Sequence, residues 1–216
     1  MAVCGLLIIA FSGCAWQDRG AVTIYRPDMV AMKRVAVLSF VLLPAAGDSQ
    51  ALPGIRQAKE QLAEPHDPTA VLNEILFSQI RTRPGWRIVE EDELREIPEV
   101  PPLGLGEDKR GFFVALGKKQ EVEGIMLGQV WRFRERRGSD FAVERAASVA
   151  FSLTLFSARD GLPVWKGVFD ETQKSLLENL LAFSSFQGRG GRWTTARELA
   201  SEGMGSLLGR LPTEAR

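Results

Sequence analysis

From Val122 onward the apolar residues of this chain change period, from 3.6 to 2, and no other feature limits its fold as strongly. Ile125, Leu127, Trp131 and Phe133 alternate on one face of a strand, and Val149, Phe151, Leu153 and Leu155 alternate on one face of another. The polar turn Arg136-Arg137-Gly138-Ser139-Asp140 joins them as a hairpin. A second turn, Arg159-Asp160-Gly161, leads to Val164-Trp165-Lys166-Gly167-Val168-Phe169, so this half of the chain reads as a three-strand antiparallel meander.

Upstream the pattern is different. Lys33-Arg34-Val35-Ala36-Val37-Leu38-Ser39-Phe40 is apolar on both faces, as a central buried strand requires. Residues 44–66, with three prolines and two glycines, read as a surface insertion. Asp67-Pro68 then supplies an N-cap with proline at the first helical position, and Val71, Leu72, Ile75, Leu76, Gln79 and Ile80 recur at helical spacing until Pro84-Gly85. Trp86-Arg87-Ile88-Val89 is a short strand, and Glu91-Asp92-Glu93-Leu94 opens a smaller helix with acids at its positive end. After a Pro/Gly loop, Asp108 can cap a helix carrying Phe112, Phe113, Ala115 and Leu116. A short helix near 175–183 and a last helix over 195–208, where Thr195 and Glu198 are spaced as a capping box, complete the chain. The expected fold is α/β: a mixed sheet whose parallel strands are followed by the meander, with helices packed on its faces. Val35, Val37, Leu38, Ile88, Ile125, Leu127, Phe151 and Leu153 are its expected core.

The amino terminus reads as a targeting segment. Residues 3–11 (VCGLLIIAF) form an apolar run of nine residues, short of the ~20 that cross a bilayer as a helix. Small residues and a cysteine follow, as at the end of a secretory signal. Phe11-Ser12-Gly13-Cys14 resembles the lipobox of bacterial lipoprotein signals. The resemblance implies cleavage before Cys14, with lipid on its thiol and on the new amino group. Residues 1–13 are then the signal, 14–30 a lipidated cysteine with a polar tether, and 31–212 a single α/β domain. Cleavage removes Cys4 and lipidation consumes Cys14, so the mature chain keeps no free thiol. Residue 16 is Trp rather than the Asp that favours inner-membrane retention, which points to the outer membrane.

Element order and motifs together resemble the TolB amino-terminal domain and the curli-secretion lipoprotein CsgG with its relatives. Val35-Ala36-Val37-Leu38-Ser39-Phe40 matches their "VAVLPF"-like opening strand with Ser in place of Pro. Ile88 to Leu94 matches a "VVER..L"-like step, and residues 117–130 (GKKQEVEGIMLGQV) follow "G...GAD.II.G.V" with Val122-Glu123 where Ala-Asp would stand. Ala158-Arg159-Asp160-Gly161-Leu162-Pro163-Val164-Trp165 matches "D..TGE..W". The resemblance implies an envelope lipoprotein, an adaptor or a part of a secretion apparatus, and no enzymatic activity.

Composition agrees with a non-catalytic role. Lys+Arg and Asp+Glu are equal at 27 each, so no global field draws the chain onto nucleic acid, and no nucleic-acid partner is expected. One histidine and two cysteines leave too few soft ligands for a structural zinc site, and neither metal nor cofactor is expected. His66 lies between two prolines without a paired nucleophile. Glu90 and Asp92 have a sufficient reason to be at a helix start. Gly104-Leu105-Gly106 and Gly188-Arg189-Gly190-Gly191 could cradle an anion, but neither sits between a strand and a helix in the required pattern. Arg132, Arg134 and Arg136 share one face of a strand: a solvated edge that resists edge-to-edge pairing, or a docking stripe for lipid phosphates or an acidic partner. Leu176 to Trp193 is more apolar than a short helix needs, so Phe183, Phe186 and Trp193 are candidate partner contacts, or they cap the sheet.

These readings converge on a periplasmic lipoprotein held in the outer membrane by lipid on Cys14, acting as a non-catalytic adaptor or assembly factor with an unidentified envelope partner. The alternative is a structural subunit of an oligomeric CsgG-like secretion apparatus, in which the chain self-associates.

Overall fold

The computed structural model describes residues 20–26, 32–43, 67–90, 93–94, 109–138, 143–173 and 194–212. In chain order the elements are β1 (Ala21–Ile24), β2 (Arg34–Leu42), α1 (Pro68–Ile80), β3 (Arg87–Glu90), α2 (Arg110–Gln120), β4 (Gly124–Arg134), β5 (Arg137–Gly138), β6 (Val143–Arg145), β7 (Ser148–Ser157), β8 (Pro163–Thr172) and α3 (Ala196–Gly209). Six strands form one sheet in the spatial order β1-β8-β7-β4-β2-β3. β2 is parallel to β3 and to β4, because α1 and α2 carry the chain back across the sheet between them. β4, β7 and β8 are the antiparallel meander. The mixed α/β sheet is the one expected from the sequence.

Both faces of the sheet bury apolar side chains. On one face Val35, Val37, Met126, Phe151 and Leu153 meet Leu72, Leu76 and Ile80 of α1 and Leu199, Met204 and Leu207 of α3. On the other, Ala36, Leu38, Ile125 and Leu127 meet Phe113 and Leu116 of α2. α1 begins where expected: the Asp67 carboxylate accepts from the Thr69 N–H at 2.9 Å, with Pro68 behind it. α3 begins with the expected capping box, Thr195 Oγ1 accepting from Glu198 N at 3.1 Å and Glu198 Oε2 accepting from Thr195 N at 2.9 Å. α2 starts after Lys109, which makes no side-chain cap, and Asp108 lies outside the described residues.

One expectation about β4 is overturned. Ile125 and Leu127 do share a face, but Phe133 belongs to the opposite core, with α1 and α3, and Trp131 is only half-buried. The cause is a bulge. Val130 and Arg132 lie opposite the consecutive residues Phe151 and Ala150 of β7, so Trp131 is an extra residue and the alternation changes phase there. β2 bulges as well: Leu38 and Val41 pair with Leu127 and Gln129, which inserts one residue and brings Phe40 onto the face of Val35 and Val37. A bulge leaves backbone groups without ladder partners, and here the side-chain oxygen of Asn73 on α1 accepts from the Phe40 N–H at 2.7 Å. The Phe40 ring then lies on Gly128, where a Cβ would come within 2.6 Å of the ring, and meets Phe151 edge-on with centroids 6.0 Å apart.

Two further differences matter for function. Within the stretch read as tether, Ala21–Ile24 is an edge strand on β8, starting from Gly20 at φ +99 where a Cβ would meet the Val168 carbonyl oxygen at 2.6 Å. The turn expected at 136–140 is instead a separate ribbon, β5 paired with β6, so a strand pair does exist beyond the main sheet. Of the expected core, Ile88 on edge strand β3 is half-buried and the rest is buried. The insertion at 44–66 and the helix near 175–183 lie outside the described residues, as does the small helix from Glu91 apart from 93–94, where Leu94 joins the α2 core.

Gly128→Val should cost about 1–3 kcal/mol, since Phe40 cannot stay in place. The urea midpoint should fall accordingly with the slope unchanged. An unshifted midpoint would mean that Phe40 does not rest on Gly128.

Candidate functional site

The most distinctive polar region is the end of the sheet where β4 finishes and β7 begins. β2 pairs with β4 as far as Leu42 opposite Val130, and from Arg132 to Arg134 β4 continues on β7. Because of the Trp131 bulge, Arg132 and Arg134 lie on the face turned away from α1 and α3. An Arg132 guanidinium nitrogen donates to the Asp170 carboxylate on β8, with Ala150 of β7 in the register row between them. Only a small residue at 150 lets the side chain pass across the middle strand. In the next row Arg134 lies beside Ser148 and Thr172, whose hydroxyls are 2.6 Å apart. The Nε atoms of Arg132, Arg134 and Arg145 are buried without an acceptor. The expected stripe therefore consists of Arg132 and Arg134, while Arg136 lies past the end of the strand. β4 is internal to the sheet as far as Val130, but from Arg132 to Arg134 it pairs with β7 alone among the described strands, so the reading of these arginines as a solvated edge stands beside the docking one.

Glu135 joins three elements at this end. Its Oε1 accepts from the backbone N–H of Arg136 and from that of Ala196, both at 3.0 Å, and its carbonyl accepts from Arg145 at 3.4 Å. Ala196 is the first residue of α3, so the carboxylate satisfies an orphan donor at the positive end of the helix. The end of β4, the β5–β6 ribbon and the start of α3 are thereby held together.

β1 is clamped at both ends. The Gly20 carbonyl accepts from Arg210 at 3.0 Å, and Arg26 pairs with Asp160 at 2.6 Å. Burial pushes the Asp160 carboxyl up. The hydrogen bond from Arg26, those from the Leu162 N–H and the Ser157 hydroxyl, and the Arg26 charge outweigh it and leave Asp160 below its usual range. The other shifted carboxylates among the described residues also move down, Glu74 through its bond to Arg197 and Glu90 through a two-pronged bond to Arg81 at 2.5 and 2.6 Å. Glu90 is thus a structural partner of Arg81, and Asp92 lies outside the described residues. Ile24, the last residue of β1, and Tyr25 just beyond it are 44% and 50% exposed.

Cys14, Phe183, Phe186 and Trp193 lie outside the described residues, as do His66 and both glycine clusters, 104–106 and 188–191. Among the described residues no group of three His, Cys, Asp or Glu is placed to hold a metal ion. No described helix is long and apolar enough to cross a membrane. Sequence reasoning found the arginines but missed Glu135 and Asp170. The first stands inside the arginine run and carried a signal; the second is 38 positions from Arg132 and carried none.

No protein-family model matches the chain, and no curated protein matches it. Among solved structures it is similar to the PelC L103M dodecamer from Paraburkholderia phytofirmans, at 14% identity over 90% of this chain and 98% of that one, with a TM-score of 0.50. It is also matched to the hypothetical protein CT253 from Chlamydia trachomatis (11% identity, 83% and 90% of the chains, TM-score 0.45) and to lipoprotein GNA1162 from Neisseria meningitidis (12% identity, 73% and 98%, TM-score 0.34). The likeness to PelC is one of fold.

Because the Asp160 carboxyl is held low, its pairing stabilises the fold above the ordinary carboxylate pKa, about 4, and this contribution is lost as pH falls through the lowered value. Asp160→Asn should lower the melting temperature at pH 7 and narrow the gap between pH 7 and pH 3 relative to wild type. Amide exchange over 20–26 should quicken in the same variant. An unchanged gap would show that the pair contributes nothing.

Proposed function

We propose that this chain is a lipid-anchored protein of the bacterial cell envelope, on the periplasmic face of the outer membrane, and that it acts without chemistry of its own as an adaptor or assembly factor. The observation that carries this reading is the use made of the charged groups at the end of the sheet. Glu135 and Asp170 are taken up in joining elements, and among the described residues every shifted carboxylate is held below its usual range by an arginine, the opposite of what a general acid needs. Such a surface is suited to contact. The lipobox resemblance at Phe11 to Cys14 supports the anchor, and the ordered motifs of residues 33–169 support kinship with TolB amino-terminal and CsgG domains.

A specific observation favours the second reading, a structural subunit of an oligomeric, CsgG-like secretion apparatus. PelC, whose fold this chain shares, is a dodecamer in its crystals. Here β1 is an edge strand of the sheet, and it ends in the exposed Ile24 and Tyr25. The β5–β6 ribbon does not supply a pore wall, since residues 137–145 are nine in all and each barrel strand needs about 9–11.

Native mass spectrometry of the mature protein in detergent decides between the two. The adaptor gives a monomer or dimer, and the subunit gives a large closed oligomer that Ile24→Lys with Tyr25→Lys dissociates. Hydrolysis or group transfer by the purified protein would contradict both.

A further inference from the structure

We infer that the arginine-bearing end of the sheet is a docking surface for anionic phospholipid headgroups, held against the bilayer by the chain that leads into β1; this rests on the reading of Cys14 as the lipid anchor. β8 runs toward the arginine end and β1 runs antiparallel to it, with Ala21 opposite Val168, so the chain enters β1 from the arginine side of the domain. Because β1 begins at Ala21 and not after a tether reaching residue 30, Cys14 is six residues from Gly20 and can be at most about 21 Å away.

The row of Arg134, Ser148 and Thr172 lies four residues further along β8 than Val168, about 13 Å toward the tether's origin at the rise of a strand. From Ala21, which pairs with Val168, Cys14 is seven residues and at most about 24 Å away, so it can stand off from the arginine row by at most about 11 Å along the strands, close to the Debye length of about 10 Å at 0.1 M salt. A domain tethered this closely cannot turn its arginine end far from the headgroups.

The chain is neutral overall, and this end holds five arginines against Glu135, Asp140, Glu144, Asp170 and Glu171, so its basic character rests on the two arginines at 134 and 137 and not on an excess of positive charge. Asp170 is engaged by Arg132, and Glu135 by two backbone N–H groups; Glu171 is half-buried at the same end. Arg137 is exposed and Arg134 is half-buried, and guanidinium groups of this kind pair with phosphate oxygens in charge-assisted hydrogen bonds. Three acyl chains already make release negligible, so the arginines serve to orient the domain rather than to retain it.

The test uses the full mature chain, lipidated at Cys14, in vesicles of phosphatidylcholine with or without about one-third phosphatidylglycerol. The mature chain has no other thiol, so Thr172→Cys at the arginine end and Lys118→Cys at the opposite end each take one fluorophore. A headgroup-bound quencher should quench the label at 172 several-fold more than that at 118. The difference should shrink in phosphatidylcholine alone, in high salt, and when Arg134→Gln and Arg137→Gln are added. Equal quenching at both sites, or a difference indifferent to lipid charge and to the arginines, overturns the inference. Palmitate labelling reports the anchor separately. Whether or not it appears, the unlipidated full chain, Cys14→Ser, should sediment with phosphatidylglycerol vesicles, weakening about fivefold for each arginine removed. Sedimentation that ignores the substitutions would show that the surface does not bind headgroups even if the anchor stands.

Discussion

The packing of Phe40 against Gly128 is the contact on which the sheet depends. β4 lies between a parallel neighbour and an antiparallel one, and the two ladders differ in spacing and slant. Each is accommodated by one extra residue, beside Phe40 in β2 and at Trp131 in β4. The first bulge brings Phe40 over Gly128 and against Phe151, where α1 can supply Asn73 to the freed N–H. The second turns Phe133 into the same core and leaves Arg132 and Arg134 on the other face. The polar end of the molecule is thus a consequence of how its centre is packed.

Much of this was legible in the residues. The period change at Val122 separates the meander from the preceding strand-helix alternation, and Asp67-Pro68 and the Thr195/Glu198 pair start α1 and α3 where the structure has them. The bulges were not legible, because alternation counts residues and a bulge adds one without any change in residue type. Ile125, Leu127, Trp131 and Phe133 satisfy a strict period of two, yet Phe133 lies in the core opposite to that of Ile125 and Leu127. β1 was hidden by composition: Ala21-Val22-Thr23-Ile24 is short, and at this edge its place is set by pairing with β8 and by clamps at Asp160 and Arg210, 134 and 190 positions away. Of the site, the arginines were visible and their partners were not.

The early start of the folded domain changes the functional picture more than any single side chain. A tether running to residue 30 would let the domain sample most orientations above a membrane. With β1 beginning at Ala21, an anchor at Cys14 leaves little freedom, and a ring or an adaptor built on this domain would present the same end to the bilayer in every copy. On the proposed reading, anchoring and orientation are coupled, and both depend on the residue at which the mature chain begins.

The intact mass of the protein extracted from membranes tests that dependence most directly. The account predicts a chain that starts at Cys14 and carries the added mass of a diacylglyceryl group and an N-linked acyl chain. A chain that starts at Met1, or one that starts at Cys14 without lipid, would contradict it.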